Sequence, residues 1–147
     1  MRTDPFAVRR ATWPADAAAL RSVREAVFVR EQGVPAELEW DDQDAGAWHW
    51  LAEAADGSPI GTARLLHTGQ VGRMAVLPAW RRRGVGTALL QTVLRDATAC
   101  GVGGLWLNAQ CSAAGFYERA GFGAEGPVFT EAGIAHRSMR YREEDRA

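Results

Sequence analysis

Hydrophobic positions along the chain change their period several times, and each change marks an element. Between helix-start signals at Pro14 and Asp16 and a stop near Gly33 and Pro35, Leu20, Val23, Val27 and Phe28 recur at i, i+3, i+7 and i+8, the stripe of an amphipathic helix. A short strand near Phe6 to Arg9 precedes it. Downstream, "WHWLAEA" alternates Trp48, Trp50 and Ala52 with His49, Leu51 and Glu53, the two-residue period of a strand. "DGSP" at 56–59 turns the chain so that "IGTARLL" pairs back antiparallel, and "HTG" at 67–69 turns it again into "QVGRMAVLP", which Pro78 closes. From Val85, the apolar positions Leu89, Val93 and Ala97, with Leu90 and Leu94 beside them, predict a helix that stops at Gly101. "LWLNAQ" predicts a short strand, "SAAGFYERAG" a short helix ended by Gly121, and "AHRSMRY" a final alternating strand. The order β α β β β α β α β β predicts an α/β fold, with a mixed central sheet of about six or seven strands flanked by helices rather than a doubly wound parallel one.

Composition narrows the setting. A chain of 147 residues without an internal repeat or linker is expected to form one domain, residues 1–147. Cys100 and Cys111 have neither the multiplicity of a disulfide scaffold nor metal-ligand spacing, so no metal is expected and both read as partly buried packing residues in a reducing compartment. The N-terminal residues lack the apolar stretch of a signal peptide and no apolar run reaches the length of a membrane span, which predicts a cytoplasmic protein with no membrane partner. A formal net charge of -1 gives no case for a nucleic-acid partner. All 17 basic residues are arginine, and alanine and glycine abound, a bias that points to a GC-rich bacterial source. Two charged blocks stand out: Arg81, Arg82 and Arg83, and an acidic stretch of Glu37, Glu39, Asp41, Asp42 and Asp44 that contains no basic residue.

The basic block leads into "RRRGVGTALL", where Gly84 and Gly86 stand between a strand and a helix. A turn of this kind leaves backbone N–H groups unpaired at a helix start, where the macrodipole also favours an anion. Glycine lets a phosphate approach the backbone closely. An incidental basic turn would explain the arginines and leave the glycine spacing unexplained. A Walker A loop requires a Lys-Ser/Thr pair, and this chain has no lysine. A dinucleotide fingerprint requires a small residue where Leu89 stands and a place on the first strand of a βαβ unit.

These residues resemble the GNAT superfamily of acyl-CoA-dependent N-acyltransferases. Arg81-Arg82-Arg83-Gly84-Val85-Gly86 matches its pyrophosphate signature Gln/Arg-x-x-Gly-x-Gly/Ala, and "AAGFYERAGF" is similar to its A-x-x-hydrophobic-Tyr-x-x-x-Gly-Phe block. "VFVREQGVP", "AQCSAAGFYERAGF" and "EAGIAHRSM" resemble the YjcF-like and ElaA-like subgroup, related to glucosamine-phosphate acetyltransferases. The resemblance covers essentially the whole chain. It implies the GNAT fold, acetyl-CoA as cofactor with coenzyme A as product, and direct acetyl transfer to a primary amine of a small acceptor; a homodimer is compatible with it.

The resemblance also implies roles for individual residues. Backbone groups of Met74, Ala75 and Val76 would pair with the pantetheine arm, and the loop Arg81, Arg82, Arg83, Gly84, Val85, Gly86 and Thr87 would hold the pyrophosphate. Gln110, Ala113 and Phe116 would add cofactor contacts, and Phe28, Glu31 and Gln32 would form the acceptor wall. Glu39 and Asp41 beyond that wall would favour a cationic acceptor. Tyr117 would protonate the departing thiolate, although a tyrosine on a short amphipathic helix is also an ordinary core residue. An amine with a pKa near 10.4 is about 4 kcal/mol from its neutral form at neutral pH, so a base or a pKa-lowering pocket is required. The strand "QVGRMAV" carries no acid for this. Among Glu31, Glu39, Asp41 and His136, the histidine titrates in the useful range by its residue type and is ranked first as base. Cys111 lacks a visible histidine partner and reads as structural rather than nucleophilic. Two other functions remain open at this stage: an acyl-CoA-responsive binding module without turnover, and an acetyltransferase of protein lysines or N-termini.

Overall fold

A computed structural model describes residues 5–142. The chain runs through β1 (Phe6–Ala11), α1 (Ala17–Arg24), a π-helical continuation (Glu25–Glu31), α2 (Ala36–Glu39), β2 (Trp48–Ala54), β3 (Pro59–Leu65), β4 (Val71–Val76), α3 (Val85–Ala99), β5 (Trp106–Gln110), α4 (Ala114–Arg119), β6 (Phe122–Glu131) and β7 (Ile134–Tyr141). β1 to β4 form one antiparallel sheet in sequence order, and β5, β7 and β6 form a second in that spatial order.

Both faces of the first sheet are covered. The α3 stripe of Val85, Leu89, Leu90, Val93 and Ala97 packs with Trp50, Ala52, Ile60, Ala63 and Leu65, while Val23 and Val27 close over Ala75 on the other side. This is why β2 buries His49 and Leu51 as well as Trp50 and Ala52, where the alternation in sequence implies one wet face. The approach of α3 is close enough that a Cβ on Gly61 would lie 2.9 Å from Leu89 Cδ1 and 3.2 Å from the Ala75 carbonyl oxygen.

The mixed character of the sheet is confined to one parallel bridge, Gln70 with Trp106, where the Trp106 N–H donates to the Gly69 carbonyl at 3.1 Å. Beyond it β4 and β5 pair with their own sheets and not with each other. A bulge in β4 accompanies the parting. Thr62 faces Ala75 and Arg64 faces Gly72, so β4 holds one residue more than β3 over this interval, and Arg73 takes φ 48°. The first helix differs from the expectation of one uninterrupted α-helix: its second half is π-helical, a form that recurs at functional sites.

Candidate functional site

The parting strands leave a cleft of about 820 Å³. Met74, Ala75 and Val76 line one wall, and Asn108, Ala109 and Gln110 the other. β4 is the edge of its sheet here. Leu77 N–H donates to the Ile60 carbonyl at 2.9 Å, and the Ala75 carbonyl lies toward Gly61, so by strand alternation the polar backbone of Met74 and Val76 faces the cleft and that of Ala75 faces β3. The Val76 carbonyl already accepts a bond from Arg81 Nε at 2.9 Å.

The loop after β4 ends in the first turn of α3, whose N-cap is Gly84 at φ 84°. Nothing lies within 4 Å of a Cβ placed there, so backbone conformation alone selects glycine. Gly86 differs. Its φ is ordinary, and a Cβ there would meet Phe116 at 3.5 Å and Val76 at 3.8 Å, which is normal packing. Neither packing nor backbone conformation supplies a reason for glycine at 86. The first intrahelical bond of α3 is Ala88 N–H to the Gly84 carbonyl, so the preceding amides at this end of the 15-residue helix have no helical partner. Val85 is buried and anchors the turn in the core.

The side chains of the loop are less free than the sequence implies. Arg81 grips Glu31 through both terminal nitrogens, at 2.6 and 2.7 Å, which raises the guanidinium pKa and holds the Glu31 carboxyl below its usual range. Arg83 stacks on Trp80 with its guanidinium 5.2 Å from the ring. Arg82 takes φ 62°. Thr87 lies outside the cleft, in a groove between α3 and α4 that it shares with Phe116 and Arg119. What this loop offers an anion is therefore its backbone amides and the helix end more than three free arginines.

α4 brings Phe116 and Tyr117 to the cleft, and its N-cap Ala113 lines it too. The Tyr117 ring meets Phe116 and Phe122 edge-on, and burial pushes its phenol up to about 12, so it is protonated throughout the neutral range. His136 on β7 also lines the cleft, stacked on Phe129. Its Nδ1 lies 2.7 Å from the Ile134 carbonyl, which can only accept, so Nδ1 carries the proton and the neutral ring has its lone pair on Nε2. Glu131 Oε2 is 3.9 Å from that nitrogen. Gln110 does not stand alone: its amide donates to Gln32 at 2.8 Å and ties the end of β5 to the side of the cleft where Phe28 also sits.

The acidic stretch requires a correction. The charge of Glu39, Asp41 and Asp44 is not available to attract a cation, because arginines distant in sequence offset it. Arg24 donates to Glu39 (2.8 Å) and Asp44 (3.0 Å), and Arg64 donates to Asp41 and Asp44 (2.9 Å each). Arg73 donates to Asp41 at 3.0 Å, and Asp44 accepts from His49 through its carbonyl. Burial raises the Glu39 carboxyl, whereas for Asp41 and Asp44 the arginines outweigh burial and hold both low. Cys111 is exposed rather than packed, and Cys100 is half-buried. Arg64, Arg73, Asn108 and Glu131 are among the residues of the cleft that were not singled out from sequence. The absence of any basic residue from the acidic stretch was a signal that its partners lay elsewhere. Asn108, which accepts from the Ser138 hydroxyl at 2.7 Å, gave none.

Comparison with known proteins agrees with this geometry. The model of the GNAT acetyltransferase domain matches residues 16–143. An uncharacterised N-acetyltransferase of Bacillus subtilis, YjcF, is 36% identical over 121 residues, covering 80% of this chain and 86% of its own. The crystal structure of an acyl-CoA N-acyltransferase from Pseudomonas aeruginosa superposes with a TM-score of 0.80 at 29% identity, covering 95% of this chain and all of that one. Escherichia coli ElaA superposes at 0.83 with 26% identity, over 94% of this chain and 100% of its own.

Proposed function

Because the chain belongs to the GNAT acetyltransferase family and is an acyltransferase, we propose that it moves an acetyl group from acetyl-CoA directly to a primary amine of a small acceptor in the cleft between β4 and β5. The observation that carries this reading is Gly86: a position with room for a Cβ, in the unpaired first turn of α3, beside the free edge of β4. A cradle with these features fits a pyrophosphate followed by an extended arm.

Acetyl-CoA supplies an acetyl thioester when bound. The amides at the start of α3 hold its phosphates, and the Met74 and Val76 backbone orients its arm along β4. Tyr117, kept protonated by burial, donates its hydroxyl proton to the departing sulfur. His136 receives the proton lost by the amine at Nε2, because Nδ1 is held by the Ile134 carbonyl. Glu131 lies beside the resulting imidazolium. The acceptor enters from the side of the cleft bounded by Phe28, Gln32 and the Arg64–Asp41 pair. Among the described residues no helix is long and apolar enough to cross a membrane.

The test is a panel of small amines and lysine peptides with acetyl-CoA, following thiol release and product mass. Amine-dependent release with a mass gain of one acetyl group on a small acceptor is expected. Binding of acetyl-CoA without release by any amine would make the protein a binding module, and release with peptides alone would make it a protein acetyltransferase.

A further inference from the structure

At the end of the cleft remote from α3, two guanidinium groups have donors that the fold leaves unused. Arg64 is about nineteen-twentieths buried, its side chain only 5% exposed, yet among the described residues its hydrogen bonds all leave from Nη1, to Asp41 and Asp44. Its Nε is buried with no partner. Arg73 is more fully engaged: Nη2 is bonded to the Glu39 carbonyl and Asp41, and Nε is ion-paired with Glu39 Oε2 at 3.0 Å without an aligned hydrogen bond, so among the described residues Nη1 is the nitrogen with no bond to the fold. Both residues line the cleft. Arg73 is the bulge residue of β4 at φ 48°, a conformation that costs energy away from glycine and is kept where the surroundings require it.

A buried donor without a partner is rare in a native protein and calls for a specific cause. The carboxylates on hand do not supply one, since Glu39, Asp41 and Asp44 are already shared among Arg24, Arg64 and Arg73. An oxyanion suits an unused guanidinium edge, because two parallel N–H groups match its oxygens.

We propose that the acceptor carries an oxyanion, carboxylate or phosphate, in addition to its amine, and that Arg64 and Arg73 hold this group at the end of the cleft while the amine points toward the edge of β4. The proposal rests on the acetyltransferase reading and deepens it: the acceptor is a zwitterionic amine, not a simple cation.

Matched acceptors separate the two levels. Glycine, leucine and phenylalanine would be compared with their amides, and phosphoethanolamine with ethanolamine, by kcat/KM for thiol release from acetyl-CoA. One of the two anion series should exceed its neutral-tailed counterparts by about ten- to a hundred-fold, the range of a charge-assisted hydrogen bond. Which series does so identifies the anion. Arg64→Lys keeps the positive charge near Asp41 and Asp44 but lacks the fork, and should bring the ratio close to one. The rise in Tm with acetyl-CoA reports that the variant is folded; if it is not, Arg73→Lys is read the same way. Equal or better rates with the neutral-tailed amines overturn the proposal, as do a wild-type ratio in the folded variant and no transfer to any of these acceptors. If acetyl-CoA itself fails to raise the Tm of the wild-type protein, the acetyltransferase reading falls instead.

Discussion

Gly86→Ala should make the protein more stable and its cofactor binding worse. The residue is the second of α3, at a helical φ, and the added methyl group would sit 3.5 Å from Phe116 and 3.8 Å from Val76 with no contact below 3.4 Å. Replacing glycine by alanine in a helix gains about 0.5–1 kcal/mol, mostly by restricting the unfolded chain. For a domain of this size that is roughly 2–3 °C in Tm. In the complex the same methyl group would stand where the phosphates meet the backbone. Loss of that approach should weaken acetyl-CoA about ten-fold or more, which is at least ~1.4 kcal/mol. Wild-type protein at one hundred times Kd gains about 2.7 kcal/mol from the ligand, and the variant at the same concentration should lose half of this gain or more. Scanning fluorimetry with and without acetyl-CoA, with Kd from titration calorimetry, reads both effects. Gly86→Glu, which adds charge as well as bulk, should abolish binding. Wild-type Kd in both variants would refute the cradle and with it the reason offered for glycine at 86.

Asp44→Asn should strongly destabilise the fold, by about 3–5 kcal/mol in urea unfolding, because it leaves the buried Arg24 and Arg64 short of an anion. The pH dependence of that loss has a defined sign. Asp44 and Asp41 are held below their ordinary values, so their stabilisation is full above an unfolded pKa near 3.9 and fades as pH falls through the lower folded values, while Glu39, raised by burial, opposes them in part. Wild-type acid unfolding should accordingly begin below about pH 4, and Asp44→Asn should flatten this limb. At the alkaline end, the rate profile should show no descending limb near pH 10, the ordinary phenol value, since burial carries Tyr117 to about 12; a limb at the ordinary value would show a solvated phenol.

The parts of the fold carried by local signals were legible. The α3 stripe, the strand closed by Pro78 and the helix ended by Gly121 follow from period and punctuation, and all three stand where those signals put them. The π-helical turn was not, because Val27 and Phe28 fall on the inner face of either helix type. The β4 bulge was hidden for a different reason. It takes positive φ at Arg73 although Gly72 is its neighbour, and no residue preference announces an arginine there. Of the residues that line the cleft, Gly86 was reached from glycine spacing and Tyr117 from the resemblance of its block. The acidic stretch, with no basic residue of its own, signalled distant partners without identifying them, since Arg24 lies 15 residues from Glu39 and Arg64 lies 20 from Asp44. Local charge counting sees an excess that pairing across the fold removes.

In the proposed reaction Tyr117 stands beside the leaving sulfur while the cleft performs acetyl transfer. Single-turnover thiol release by wild type and Tyr117→Phe, with acetyl-CoA and a turned-over amine both saturating, tests it most directly. The substitution keeps the edge-on ring packing against Phe116 and Phe122 and removes only the hydroxyl. A proton donor of this kind is worth about 10²- to 10⁴-fold, and the rate should fall by an amount in the lower part of that range with acetyl-CoA affinity unchanged. An unchanged single-turnover rate in a folded, acetyl-CoA-binding Phe variant would contradict the account and leave Tyr117 a packing residue.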